Sequence, residues 1–355
     1  MKKSKLNNIL SVISLAILVA LIVGIQEFGL FGLNSYVIGV IKLCCIYAIC
    51  ALSMNMVNGL TGMFSLGQPG FMALGAYTTG LLTVSAQDKL EIYKIKPIVG
   101  FLANANAPFF IALIIGGLVA AFFAFLIGFP VLRLKGDYLA IASLGFSEII
   151  RIFIQNGQSV TNGTTGLIRI PSHVNLYVAF GVLALVVIFM VLLIHSSYGR
   201  AFKAIREDEV AAEAMGVNLF KHKMFSFVIS GFIAGIGGGL LASHLSAISP
   251  DVFKFTLAYE ILLMVVLGGQ GSISGSIIGA FIVRAALEWL RIVDNPIKIG
   301  FINYPGISGM RMVVFSVVLM LIILFWSRGI FGSEEFSFDR LFKFFKGLKK
   351  SKKEV

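Results

Sequence analysis

Apolar residues in this chain gather into long runs with few polar interruptions. The runs cover residues 9–25, 36–57, 71–85, 108–130, 138–154, 176–195, 224–247, 255–267, 276–290 and 309–327. A bilayer core needs about 20 apolar residues per helix, so the pattern predicts an all-α integral membrane protein with about ten transmembrane helices. Two runs are broken by small residues: "GLTGMFSLGQPGFMALGAYTTG" (Gly59 to Gly80) and "VLGGQGSISGSIIGAF" (Val266 to Phe281). Non-helical backbone at membrane depth is tolerated only when buried in protein or lining a water-filled cavity. Paired interruptions in the two halves of a chain point to a translocation path. The candidate path residues are Gly67, Gln68, Pro69 and Gly70, with Gln68 and Pro69 at the most irregular point, and Gly268, Gly269, Gln270 and Gly271. The competing reading is close helix packing through small residues, which suits Gly235–Gly239 in "AGIGGGL" well.

Composition sharpens this picture. The 355 residues are 58% hydrophobic and 13% charged, against about 25% charged in soluble domains, which leaves no stretch for a soluble catalytic or nucleotide-binding domain. The formal charge of +12 fits the positive-inside rule better than a nucleic-acid partner. Even crossing from a basic N-terminus puts Lys2, Lys3, Lys5, Arg133, Lys135, Arg200, Lys203, Arg206, Lys221, Lys223 and the basic tail on the cytoplasmic side. Only Lys89, Lys94, Lys96, Arg169, Lys254, Arg291 and Lys298 face the other side. Both termini are therefore expected in the cytoplasm. Nine crossings would put the basic tail outside. Residues 1–330 read as one polytopic unit and 331–355 as a basic tail lying along anionic lipid headgroups. The N-terminal run lacks an A-x-A-like cleavage site and reads as an uncleaved helix. Cys44, Cys45 and Cys50 share one apolar run without CxxC spacing, which favours packing over a disulfide or metal site.

Three acidic or basic residues fall within the apolar runs at telling places. Glu148 and Arg151, in "GFSEIIRIF", are three apart and can pair on one helix face; Glu260 precedes the second broken segment. Such groups face the protein interior or water. They could meet the two charges of a zwitterionic solute, but structural pairing is the favoured reading. His173, His195, His222 and His244 are scattered, so neither a catalytic constellation nor a metal site is expected.

The longest internal cytoplasmic segment, 197–223, contains "SYGRAFKAIREDEVAAEAMGVNLFKHK". From Gly199 it reads as one amphipathic helix, with Gly216 as its C-terminal stop. A solvated surface helix is the plain interpretation, and a docking element for another protein is the functional one. "AAEAMG" resembles the loop by which bacterial ATP-binding-cassette importer permeases dock their ATPase. "GLTGMFSLGQPGFMALGAYTTG", "LRLKGDYLAIASLGFSEIIRIF", "TNGTTGL", "SYGRAFKAIREDEVAAEAMGV" and "ISPDVFKFTLAYEILLMVVLGGQGSISGSIIGAF" together resemble the branched-chain amino-acid permease family, M-type side. Departures occur at Thr165, where the family often has aspartate, at Ser276, often proline, and at Gln270, commonly apolar.

The resemblance implies a type II-like importer half in a bacterial plasma membrane, paired with a homologous permease, two cytoplasmic ATP-binding subunits and an extracytoplasmic solute-binding protein. ATP and Mg would sit on the ATPases, and this chain would bind no cofactor and catalyse nothing. Arg206, Glu207, Asp208, Ala212, Glu213, Ala214 and Gly216 would form the ATPase-coupling set. Urea, short amides or sugars are the solutes of sister families. An ion-coupled secondary transporter using Glu148, Arg151 or Glu260 and an intramembrane enzyme are the other readings.

Overall fold

A computed structural model describes residues 34–93, 96–134 and 136–291, together with 297–299, 302–304 and positions 309, 310, 313, 314, 316, 317, 320, 329 and 332. The predicted helix 9–25, most of 309–327 and the tail 333–355 lie outside the described residues. The other eight apolar runs each form a helix. These are α1 (Ser35–Asn55), α2 (Gln68–Thr83), α4 (Phe109–Val131), α5 (Asp137–Asn156), α6 (Leu176–His195), α9 (Leu219–Leu245), α10 (Phe255–Gly268) and α11 (Ile273–Trp289). Between them lie α3 (Ala86–Ile92), α7 (Ser197–Glu207) and α8 (Glu209–Ala214). A short antiparallel hairpin pairs Ile297–Ile299 with Ile302–Tyr304, a small β element that the apolar pattern did not predict.

Four of these helices are long and apolar enough to cross a membrane: α1 with its π-helical extension Met56–Leu60, α4, α6 and α9. By contrast, α2, α10 and α11 have 16, 14 and 17 residues. At 1.5 Å per residue they reach about 21–26 Å, short of a ~30 Å hydrocarbon core. The short helices are those beside the two breaks. α4 and α6 expose Phe110, Phe122, Leu185 and Leu192 on their outer sides. Exposed aliphatic and aromatic surface of this extent belongs against lipid.

The core is the opposite face, where α9 packs on α2, α4 and α1. Small residues let these backbones nearly touch. A Cβ on Gly75 would come 2.1 Å from Gly235 O, and one on Gly238 would come 2.0 Å from Met72 O. Neither glycine has a positive φ, so contact alone requires them. Gly268 and Gly275 do the same for α10 against α11, at 2.1 and 2.4 Å from each other's carbonyl oxygens.

The break between α1 and α2 lies earlier than the composition suggested. The irregular backbone is Thr61–Gly67; Gln68 and Pro69 already belong to the first turn of α2. A proline costs nothing there, because the amide it lacks has no intrahelical partner. Gln68 and Pro69 are therefore not the most irregular point, and α2 begins three residues before its predicted start at 71. At the other end of the molecule, α3 and the loops around it form a cap. Lys89 Nζ is buried in this cap, donating to Leu102 O at 3.0 Å and to Ala105 O; desolvation holds its pKa below the usual lysine range.

Candidate functional site

Several polar groups of the irregular stretch Thr61–Gly67 are paired, Met63 N with Val57 O at 3.0 Å and others through side chains. Thr61 Oγ1 donates to Met56 O at 3.0 Å and lies 2.7 Å from Ser226 Oγ. Ser65 N donates to Asn58 Oδ1 at 3.1 Å, and Leu66 N to Ser143 Oγ at 2.9 Å. Buried amides without ladder partners would each cost a few kcal/mol, so Asn58 and Ser143 make the break tolerable. Just beyond it, Gln68 is buried in a polar knot. Its Nε2 donates to Ser230 Oγ at 2.7 Å, and its Oε1 lies 2.9 Å from Ser53 Oγ. Gly67 and Gly70 pack against α5, where added Cβ atoms would meet Ser143 O at 3.3 Å and Ser147 Cα at 2.9 Å. Pro69 is buried with them.

The second break joins the first. Asn55, at the end of α1, accepts from Gly271 N at 2.8 Å and donates through Nδ2 to Ser272 O at 3.0 Å. A Cβ on Gly59 would come 2.3 Å from Gly271 N. Gly269 and Gly271 both have positive φ, +113° and +91°, the left-handed region that glycine enters at no steric cost. Gly268 and Gly269 are buried, whereas Gln270 is exposed. The two glycine-broken segments thus meet at one end of the bundle.

That end carries the 197–223 loop. The loop is two helices where one was expected. α7 stops at Glu207, and Asp208 (φ −160°, ψ 114°) caps α8, its carboxylate accepting from Val210 N at 2.8 Å and Ala211 N at 3.0 Å. An aspartate in this role outcompetes helix continuation. α8 ends in a Schellman motif: Val217 N donates to Ala212 O at 3.1 Å and Gly216 N to Glu213 O at 2.9 Å, with Gly216 at φ +86°. Lys223 Nζ, 2.6 Å from Glu209 Oε1, ties α8 to α9.

The seven expected coupling residues divide into two groups. Glu207, Asp208, Glu213, Ala214 and Gly216 are exposed. Ala212 is buried against the loop's own support, 4% exposed, so it is not part of an outward face. Arg206 points inward: its Nη1 donates to Gly59 O at 3.2 Å while Glu207 holds its Nη2 at 2.7 Å. A Cβ on Gly62 (φ +76°) would meet Arg206 Cγ at 2.8 Å, and one on Gly271 would meet Nη1 at 2.8 Å. One arginine of the loop therefore touches both breaks. The expected set lacks Val210 on α8 and Met215 at its C-cap, which are 77% and 85% exposed. The available signal was two apolar side chains in a segment that also carries Glu207, Asp208, Glu209 and Glu213.

The three charged residues singled out in the apolar runs are all paired. Arg151 Nε lies 2.7 Å from Glu148 Oε2, as the three-residue spacing predicted. Glu148 Oε1 also accepts from Phe255 N at 2.9 Å, which anchors α5 to the first turn of α10. Glu260 faces Arg284, at 3.6 Å. Among the described residues, no group of His, Cys, Asp and Glu is arranged to hold a metal ion.

The family described as branched-chain amino acid transport system / permease component matches residues 36–327. The high-affinity branched-chain amino acid transport system permease protein LivM of Escherichia coli (strain K12) is 33% identical over 74% of this chain and 65% of its own length. A probable LivM of Methanocaldococcus jannaschii is 25% identical over 79% of this chain and 88% of its own. The ribose import permease protein RbsC of Haemophilus influenzae is 27% identical over 80% and 85%. The chain thus spans just under two thirds of the Escherichia coli relative. No solved structure matches.

Proposed function

We propose, from the premise that this chain belongs to the branched-chain amino acid transport system permease family, that it is one half of the translocation path of an ATP-driven importer for branched-chain amino acids. It is a multi-pass membrane protein. In this reading the 197–223 loop faces the cytoplasm, as do both termini. A homologous permease supplies the other half, a solute-binding protein delivers the cargo, and two ATPase subunits hold the ATP and Mg.

The observation that carries the proposal is the double contact of the loop. Its outer surface offers Val210, Glu213 and Met215 to a partner. Its inner surface inserts Arg206 between the two broken segments. A partner that shifts α8 would shift α7 and Arg206 with it, because Asp208 joins the two helices without an intervening linker. Movement then reaches backbone whose glycines accept large changes of φ and ψ. The path residues Gly67–Gly70 and Gly268–Gly271 would move with these breaks. Glu148 already accepts the Phe255 amide and the Arg151 guanidinium, which removes the main support for ion coupling.

Reconstitution tests the reading. The chain, its partner permease, the ATPases and the binding protein in liposomes should take up leucine only with ATP inside. The ribose relative calls for ribose as a second cargo in the same assay. Leucine uptake driven by an ion gradient without the ATPases would overturn the proposal.

A further inference from the structure

Halfway along α1, away from the loop, Tyr47, Glu260 and Arg284 border a cavity of about 240 Å³. This is many times the space one water needs. Arg284 lies over the Tyr47 ring, 4.3 Å from its centroid. Its ion pair with Glu260 is loose at 3.6 Å, against 2.7 Å for Arg151 with Glu148. The Arg284 Nε is buried and without a hydrogen-bond partner. Leu257 and Leu287 supply apolar wall, and Glu288 at the rim is held by Tyr36 and Arg291.

We propose that this cavity is a transient binding site for the zwitterionic backbone of an α-amino acid, with Arg284 taking the carboxylate, Glu260 the ammonium group and the Leu257–Leu287 wall the side chain. The inference rests on the importer reading for its choice of amino acid, but its chemistry is local. The ammonium and carboxylate of an α-amino acid leave the same carbon, so a site for both needs opposite charges a few ångströms apart. Arg284 and Glu260 provide that. A guanidinium with an unused Nε–H can take a carboxylate with two parallel bonds. Charge balance sets the selectivity. Empty, the pair neutralises itself; loaded with a zwitterion, each charge exchanges its partner and the site stays neutral. A monocation or monoanion would leave one net charge in surroundings of low dielectric, where unpaired charge is costly. A neutral sugar carries no opposite charge for either partner to exchange onto, so it would gain neither ion pair.

The cavity lies on the half of the bundle opposite the loop, since α10 and α11 reach the loop end through Gly268 and Ser272. With the loop cytoplasmic, that is the side on which a binding protein would release its cargo. A site there would hold the solute before the breaks at the other end rearrange.

The test uses a cysteine beside the cavity in the assembled importer, without binding protein. Thr256 lines the cavity and is exposed, so Thr256→Cys gives a reporter for a thiol reagent. The native Cys44, Cys45 and Cys50 are buried, and the parent chain supplies the background. Leucine at ten times its Kd should slow labelling about tenfold, as mass action requires. Isovalerate and isopentylamine, each lacking one of the two charges, should not protect, and Arg284→Gln or Glu260→Gln should abolish protection by leucine. Labelling indifferent to leucine in an importer that takes up leucine once the binding protein is added would refute the site while leaving the importer reading intact. Equal protection by isovalerate would refute the zwitterion chemistry. Protection by leucine in an assembly that imports none would support the site and count against the importer reading.

Discussion

Gly238 and Gly271 look alike in the sequence. Each sits in a glycine cluster within an apolar run, yet the fold uses them in opposite ways. Gly238 is an ordinary helical residue of α9 whose missing side chain lets Met72 O approach to where a Cβ would be 2.0 Å away. Gly271 sits outside any helix at φ +91°, and its nearest neighbour is the end of a flexible arginine. The first glycine is there for contact and the second for backbone freedom. A seam built of contact glycines cannot yield without losing its packing. A break built of positive-φ glycines can change direction at little cost. The molecule thus combines a rigid wall, α2–α4–α9, with a deformable junction where the loop reaches the two breaks.

The largest expected effect comes from the wall. Gly238→Ala places a methyl group against a carbonyl oxygen that belongs to a neighbouring backbone, so two helices must separate. Overpacking of this kind costs about 1–3 kcal/mol or more. Its loss should appear as aggregation in detergent and a lowered melting temperature. Gly181→Ala, which meets nothing within 4 Å, should be as stable as the parent. If the two variants behave alike, the seam is looser than the distances imply.

A smaller and different loss is expected at the junction. Arg206→Ala removes the donor to Gly59 O, and Gly271→Ala forces a side chain onto a positive φ. Hydrogen bonds from charged groups are worth about 1.5–3 kcal/mol, so the coupled step should slow by about tenfold or more. Both variants should remain monodisperse and retain the ATPases, with uptake per ATP hydrolysed reduced. Arg206→Lys keeps the charge but not the planar fork and should recover only part of the uptake. Normal coupling in Arg206→Ala would leave the arginine as a packing contact only.

Docking itself is tested by Glu213→Lys on the exposed face of α8. Reversing a charge at a contact shielded from water costs a few kcal/mol. About 1.4 kcal/mol of this is tenfold in affinity. ATPase retention on the purified permease pair should fall by about tenfold, without any change in the permease's own melting. Undiminished retention would move the docking face elsewhere on the loop.

Much of this contrast is legible in the amino-acid sequence. The apolar runs place eight helices, and the spacing of Glu148 and Arg151 identifies their pair, because both are local signals. Gly235–Gly239 reads correctly as a packing motif. The meeting of Gly59 with Gly271 is not legible, since more than two hundred residues separate them and composition says nothing about which clusters touch. Nor is the turn at Asp208. The same carboxylate that looks like one more charge on an amphipathic helix is the cap that ends it. Arg284 is the clearest missed signal. An arginine inside "IIGAFIVRAALEW" needs a partner, and Glu260 is the nearest acidic residue in the preceding apolar run. Ala212 is misplaced by its sequence because a small residue at a helix end fits a partner's groove and its own core equally well.

Gly216 separates the two uses of glycine most cleanly, and with the smallest effect. It has φ +86° and nothing within 4 Å of an added Cβ, so crowding plays no part. Only the left-handed backbone of the Schellman turn demands glycine there. For an L-residue with a Cβ, that conformation costs roughly 1–2 kcal/mol, and asparagine bears it better than alanine. Gly216→Ala should therefore loosen the end of α8 and weaken ATPase retention modestly, while Gly216→Asn stays close to the parent. Hydrogen exchange at the Val217 amide, which donates to Ala212 O across the turn, reports the loosening directly. Faster exchange in the alanine variant than in the asparagine variant, with identical melting of the whole protein, is the expected result. Equal exchange in both would mean that φ does not hold this turn, and the freedom assigned to Gly269 and Gly271 would lose its nearest control.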